Sequence, residues 1–131
     1  MKAIFLLLLF LALPLTASAQ GLSENDLVGK FSLIGNGGFL SYSLVFNKDG
    51  SAILTQQMAD GSMDCQGVFK FDVKIADLAA VFNCPAGDVI SQEISLAGIT
   101  SDDLRNGVKV NVHVKSSLGS DSIVSMELKG L

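Results

Sequence analysis

The stretch Leu40-Ser41-Tyr42-Ser43-Leu44-Val45-Phe46, followed by Asn47-Lys48-Asp49-Gly50 and then by Ser51 to Met58, decides the fold. Leu40, Tyr42, Leu44 and Phe46 alternate with mostly small polar residues, the period-two pattern of a strand with one buried face. Asn47 to Gly50 has the chemistry of a type I turn ending on a glycine with positive φ, so the chain returns as a second strand. Setting Asn47 against Ser51 places Phe46 opposite Ala52, Leu44 opposite Leu54, Tyr42 opposite Gln56 and Leu40 opposite Met58. Large residues then meet small or flexible ones, which cross-strand pairs accommodate.

The same alternation recurs outward from this hairpin. Val108, Val110, Val112 and Val114 share one face, with Lys109, Asn111, His113 and Lys115 on the other. After a turn around Gly119, Val124, Met126 and Leu128 alternate with Ser125, Glu127 and Lys129. Ile90, Gln92, Ile94 and Leu96 mark another strand, and Phe31 and Leu33 the first. Ser101 to Gly107 reads as one helical turn capped by Ser101 and stopped by glycine, and Ser23 to Gly29 as another. Gly35-Asn36-Gly37-Gly38 reads as the turn between the first two strands.

The segment between Cys65 and Cys84 allows two readings. As a hairpin with the loop Val73–Ala76, Phe71 faces Leu78, Phe69 faces Ala80, Gly67 faces Phe82, and the two cysteines meet at a separation a disulfide can bridge. Against this, the loop lacks glycine and asparagine, and Asp72 falls opposite Asp77. The alternative is a helix over about 72–83, since Ile75, Leu78, Ala79 and Phe82 follow helical spacing and Pro85 comes next. The hairpin is preferred. About eight sequential strands emerge, and the expected fold is all-β: a single antiparallel up-and-down barrel, with a two-sheet sandwich as the alternative.

The first residues set the compartment. Met1-Lys2, the unbroken apolar run Ala3 to Leu13, Pro14 and Ala17-Ser18-Ala19 have the parts of a secretory signal peptide. A run that short does not span a bilayer as a helix, which takes roughly 20 residues. Cleavage is expected after Ala19, giving 1–19 as signal peptide and 20–131 as a single domain, secreted or periplasmic, with no membrane anchor after cleavage. Cys65 and Cys84 are the only two cysteines among 131 residues, and an even count in an oxidising compartment reads as one disulfide. With 13 acidic residues against 9 basic, and Arg105 the lone arginine, the chain repels phosphate backbones and is not expected to bind nucleic acid.

Parts for catalysis are scarce. His113 is the single histidine and falls on the polar face of its strand, with no nucleophile or orienting partner indicated. Asp102-Asp103 sits at a helix start, where carboxylates stabilise free N–H groups. Asn47-x-Asp49-Gly50-Ser51 lacks the remaining ligands of a calcium loop, and Gly35 to Gly38 lacks the lysine of a phosphate loop. The chain is therefore expected to be a monomeric non-enzyme without metal or cofactor.

Three polar side chains stand out because they fall on otherwise apolar faces: Tyr42, Gln56 and Gln92. A buried amide without a partner costs about 1–3 kcal/mol. These residues either bond one another, Tyr42 to Gln56 across the hairpin, or sit at the barrel mouth as anchors for a ligand's polar end. Small core residues (Ala52, Ala80 and Gly67) are candidates for leaving a cavity.

A helical turn leading into Gly29-Lys30-Phe31, at the start of an eight-strand meander, resembles the lipocalin-like (calycin) group. Phe31 stands where that group has tryptophan, the chain has no tryptophan at all, and no C-terminal helical pattern follows. The resemblance implies a barrel that binds a small apolar molecule in its interior. Leu27-Val28-Gly29-Lys30-Phe31 is also similar to the start of small periplasmic barrels that inhibit secreted metalloproteases, whose cysteine spacing differs. That implies the alternative function, an interaction protein acting on a partner through its rim loops.

Overall fold

The computed structural model describes residues 21–38 and 40–131; the expected leader and its cleavage site lie outside them. Eight strands run in order: β1 (Gly29–Gly35), β2 (Leu40–Phe46), β3 (Ser51–Met58), β4 (Gly61–Asp72), β5 (Asp77–Asn83), β6 (Val89–Ser95), β7 (Val108–Ser116) and β8 (Asp121–Gly130). Each pairs antiparallel with the next, and β1 pairs with β8 through Phe31 opposite Gly130 and Leu33 opposite Leu128. The result is a closed up-and-down barrel, and closure leaves no unpaired sheet edge. The sandwich alternative is not adopted.

The alternation seen in the sequence becomes inside and outside. Leu33, Leu44, Leu54, Leu78, Phe82, Ile94, Val112 and Leu128 point inward and are almost wholly buried. Lys30, Lys70, Glu93, Lys109 and Glu127 are exposed on the outer face. Apolar-in and polar-out is the opposite of the pattern a membrane-spanning barrel presents to lipid. The rings of Phe31, Phe46 and Phe69 stack in tilted pairs, 5.8 and 4.6 Å between centroids. An eight-stranded barrel is just wide enough for side chains to fill, and here they fill most of it.

The first hairpin has the expected register, with Tyr42 opposite Gln56, Leu44 opposite Leu54 and Phe46 opposite Ala52. Its turn closes through Asn47 N–H to Ser51 O at 2.9 Å, with Gly50 at φ 91°. The Asp49 carboxylate accepts from Ser51 N–H and Oγ–H at 2.9 and 2.7 Å, which ties the corner. Leu40 does not reach Met58: the ladder ends at Tyr42–Gln56, and Met58 turns back at once to pair with Gly61 of β4.

Residues 65–84 form the hairpin and not the helix, in the expected register from Asp72–Asp77 to Gln66–Asn83. Both objections to it are met locally. Ala76 takes the left-handed conformation, φ 55°, that glycine or asparagine would usually supply. Asp72 turns its carboxylate to the Lys74 N–H at 3.0 Å, and it lies exposed, where like charges are screened by water. Cys65 and Cys84 are bonded, with 4.3 Å between their Cα atoms. Such a bond persists in oxidising compartments and is rare in the cytosol.

Two short helical pieces close one end. Glu24–Leu27 is a 3-10 turn capped by Ser23, and α1 spans Ser101–Asn106. The cap of α1 is Thr100 and not Ser101. Thr100 has the extended backbone a cap requires, its Oγ1 accepts from Asp103 N–H, and the Asp103 carboxylate accepts in return from Thr100 N–H. This reciprocal pair is a capping box. Asp102 instead pairs with Arg105 on the surface. Leu27 and Leu104 of these pieces, with Leu22 and Leu96 from the chain leading into them, join the main core cluster and plug that end of the barrel.

Candidate functional site

At the other end, four connections form the rim, their described residues being 36–38, 59–60, 84–88 and 117–120. Nothing comparable to the leucine plug covers this mouth among the described residues. A cup of about 350 Å³ opens there, lined by Tyr42, Leu54, Gln56, Asp88, Ile90, Gln92, Val114, Ser116, Leu118 and Ser120. That is the low end of the range of small-molecule sites, roughly 300–1,000 Å³. It would hold about a dozen waters at ~30 Å³ each.

All three polar residues singled out in the sequence meet in this cup. Tyr42 projects from β2 and Gln56 directly opposite it from β3. Gln92 projects from β6, between Ala80 of β5 and Val114 of β7. Among the described residues Gln92 is the one polar side chain in the buried set, 3% exposed. No hydrogen bond joins the three among the described residues, and no buried side-chain nitrogen or oxygen there lacks a partner. The amide of Gln92 therefore meets the open volume of the cup and not the packed core. Burial raises the Tyr42 phenol above its ordinary value, so the hydroxyl stays protonated and can donate.

Below this layer Leu44, Phe46, Phe69, Leu78 and Phe82 belong to one buried core cluster, and the site is a cup at the mouth. Gly67, expected to leave space, does the reverse. A Cβ at that position would run into the Val81 carbonyl oxygen and lie 2.8 Å from Phe82 Cα. The missing side chain lets β4 and β5 approach closely, with the Phe82 ring fully buried beside them.

Two rim contributors escaped the sequence reading. Asp88, in the β5–β6 connection, accepts from Ser116 Oγ–H and Ser117 Oγ–H, both at 2.8 Å. Ser117 Oγ in turn accepts from Val89 N–H at 2.9 Å, and Ser117 N–H donates to Val89 O at 2.9 Å. This latch fastens two rim connections 28 residues apart. The hydroxyls of Ser116 first, then Ser117, hold the Asp88 carboxyl below its ordinary value. Leu118 stands on the same rim, 81% exposed. An acid in a turn and a leucine beside a glycine carry no local signal of this role, because the contacts are set by barrel closure.

His113 lies on the outer face and bonds Asp121 through Nε2 at 2.6 Å, which holds the Asp121 carboxyl below its usual range. A larger recess, about 510 Å³, lies at the plugged end between Val28–Phe31, α1 and Gly130–Leu131. Its lining is mainly exposed surface (Asp26, Val28, Lys30, Ser101, Arg105), whereas the mouth cup is built mostly from buried and half-buried side chains. Among the described residues no group of three or more His, Cys, Asp or Glu converges. No family model, curated protein or solved structure matches the chain, so the geometry of the barrel is what bears on function.

Proposed function

We propose that the chain is an exported, non-enzymatic β-barrel that binds one small, largely apolar molecule with a polar tip in its open mouth. The observation that supports this most is the convergence of Tyr42, Gln56 and Gln92 on a cup otherwise walled by Leu54, Ile90 and Val114. Few convergent polar groups on an apolar wall are what small-molecule sites are made of. The plugged far end makes the mouth the way in. The leader-like residues 1–19 and the disulfide both support export, and the lipocalin-like start at Gly29-Lys30-Phe31 is in keeping with a ligand-binding barrel.

The test uses an environment-sensitive apolar dye titrated into the native protein. One site per chain is expected, and Val114→Trp, which fills the cup, should weaken binding at least ten-fold while the barrel stays folded. Dye binding unchanged in that variant would refute the mouth as the site. Met58 and Leu118, 51% and 81% exposed beside the mouth, favour a second reading, a protein partner docking on the rim. A native protein that binds neither dye nor any of a broad lipid and metabolite panel would put that reading first.

A further inference from the structure

The charge around the mouth says which polar tip it takes. Of the ten residues lining the cup, Asp88 is the single ionisable carboxylate and no lysine or arginine is among them. Both serine hydroxyls that hold Asp88 donate to the same oxygen, Oδ1, so Oδ2 receives no side-chain donor among the described residues. The hydroxyl of Ser116 is committed to that bond and is not available to an incoming anion. The rim connections and the strand ends beside them carry Asp60, Asp88 and Asp121 against one cation, Lys115. Lys115 lies on the outer face, its strand position directly opposite Asp121. Lys30, Lys48, Lys70, Lys74, Arg105 and Lys129 belong to strand ends and connections of the plugged end, and Lys109 lies on the outer face beside Gly35, Gly37 and Gly38, outside the lining of the cup.

We propose that the mouth selects ligands whose polar tip is a cation, an alkyl ammonium held against Asp88, over those ending in a carboxylate. This rests on the mouth reading above and narrows it. An ammonium has three donors and no acceptor, and the cup offers it the Asp88 carboxylate, the phenol oxygen of Tyr42 and the side-chain amides of Gln56 and Gln92, each with one acceptor oxygen. A carboxylate tip would meet like charge at Asp88 with no cation to offset it. The serine latch also fixes where the carboxylate stands, so a ligand does not have to order it.

The experiment compares octylamine, octanol and octanoate, three probes with one tail and different tips, by calorimetry at pH 7 and physiological salt. Charges beyond about 8 Å are largely screened under those conditions. Octylamine is expected to bind at least ten-fold more tightly than octanoate. Asp88→Asn should remove that preference, with the circular dichroism spectrum of the variant showing that the barrel is folded. Asp49→Asn, at the far end, should change nothing. Octanoate binding as well as octylamine would overturn the cation proposal while leaving the mouth as the site. So would an equal loss of octylamine affinity in the two variants, which would mean attraction to net charge alone. Failure of all three probes to bind would overturn the mouth reading and this one with it.

Discussion

Replacing Gly67 with alanine adds one methyl group, and the structure says it has nowhere to go. The new Cβ would lie 2.7 Å from the Val81 carbonyl carbon and 2.8 Å from Phe82 Cα, with the carbonyl oxygen nearer still. Carbon atoms prefer about 3.5–4.0 Å, so β5 would have to retreat by about 1 Å from β4. Overpacking a core typically costs 1–3 kcal/mol. Here the obstacle is backbone, in a closed ladder that the Cys65–Cys84 bond pins close by, so at least ~3 kcal/mol is expected, at the top of that range. For a domain of this size that is a fall in Tm of roughly 10 °C or more. Gly130→Ala is the matched control. Its Cβ would make ordinary contacts of 3.7 Å with Leu104 O and Phe31, so the change should be neutral or stabilise by about 0.4–1 kcal/mol through the unfolded chain. Thermal unfolding followed by circular dichroism, disulfide intact, separates the two. Equal melting temperatures for Gly67→Ala and wild type would refute the close crossing of β4 and β5.

Removing the disulfide with Cys65→Ala and Cys84→Ala should cost about 2–4 kcal/mol with the barrel retained, and thiol labelling of the denatured, unreduced wild type should find no free thiol. Tyr42→Phe should change stability by less than ~1 kcal/mol, because no protein partner is stranded, and should shift ligand preference toward fully apolar molecules. A cost of 1–3 kcal/mol in urea titrations would instead mean that Tyr42 and Gln56 bond each other. The rim latch should be pH-sensitive in one direction. The Asp88 carboxyl is held below its ordinary value in the folded state, so its contribution is complete above the usual carboxylate range and is lost as pH falls through the lowered value, below about pH 4. Protection of the Ser117 and Val89 amides against hydrogen exchange should fall in that window, and protection unchanged down to pH 2 would refute the latch.

Much of the barrel is legible residue by residue. The alternation in Leu40–Phe46 and Val108–Val114 fixes faces, and the Asn47–Gly50 turn fixes register, because a slip of one residue would turn every large side chain to water. The hairpin at 65–84 is legible through the pairing of Gly67 with Phe82 and of the two cysteines, although its turn leaves only Ala76 to adopt positive φ. Helix 72–83 competes in sequence because Ile75, Leu78, Ala79 and Phe82 suit either period. It loses because a helix would leave β4 without a neighbour on that side. The cap at Thr100 was missed in favour of Ser101, yet Asp103 three residues after Thr100 is the capping-box signal that finds it. The tight return at Asp60-Gly61, the start of β4, also carries a turn signal.

The candidate site is legible only in part. Tyr42, Gln56 and Gln92 announce themselves as polar residues on apolar faces, and the register alone brings Tyr42 and Gln56 together. That all three share one end of the barrel depends on its shear and on which end the leucines plug. Asp88 and Leu118 depend on contacts between connections that only closure brings side by side. Gly67 shows the limit most plainly. A small residue in a strand is the same letter whether it opens a cavity or lets two backbones meet.

The central claim is that the mouth and not the plugged end receives a ligand. Nitrogen-edited nuclear magnetic resonance with octanol or octylamine as titrant tests it most directly, because Gln56 and Gln92 carry side-chain amides inside the cup. Their resonances, with the backbone amides of Ile90, Val114 and Leu118, should shift and saturate at one equivalent, while Lys30 and Arg105 stay still. Shifts centred on Lys30, Phe31 and Arg105, or none at all, would contradict the account.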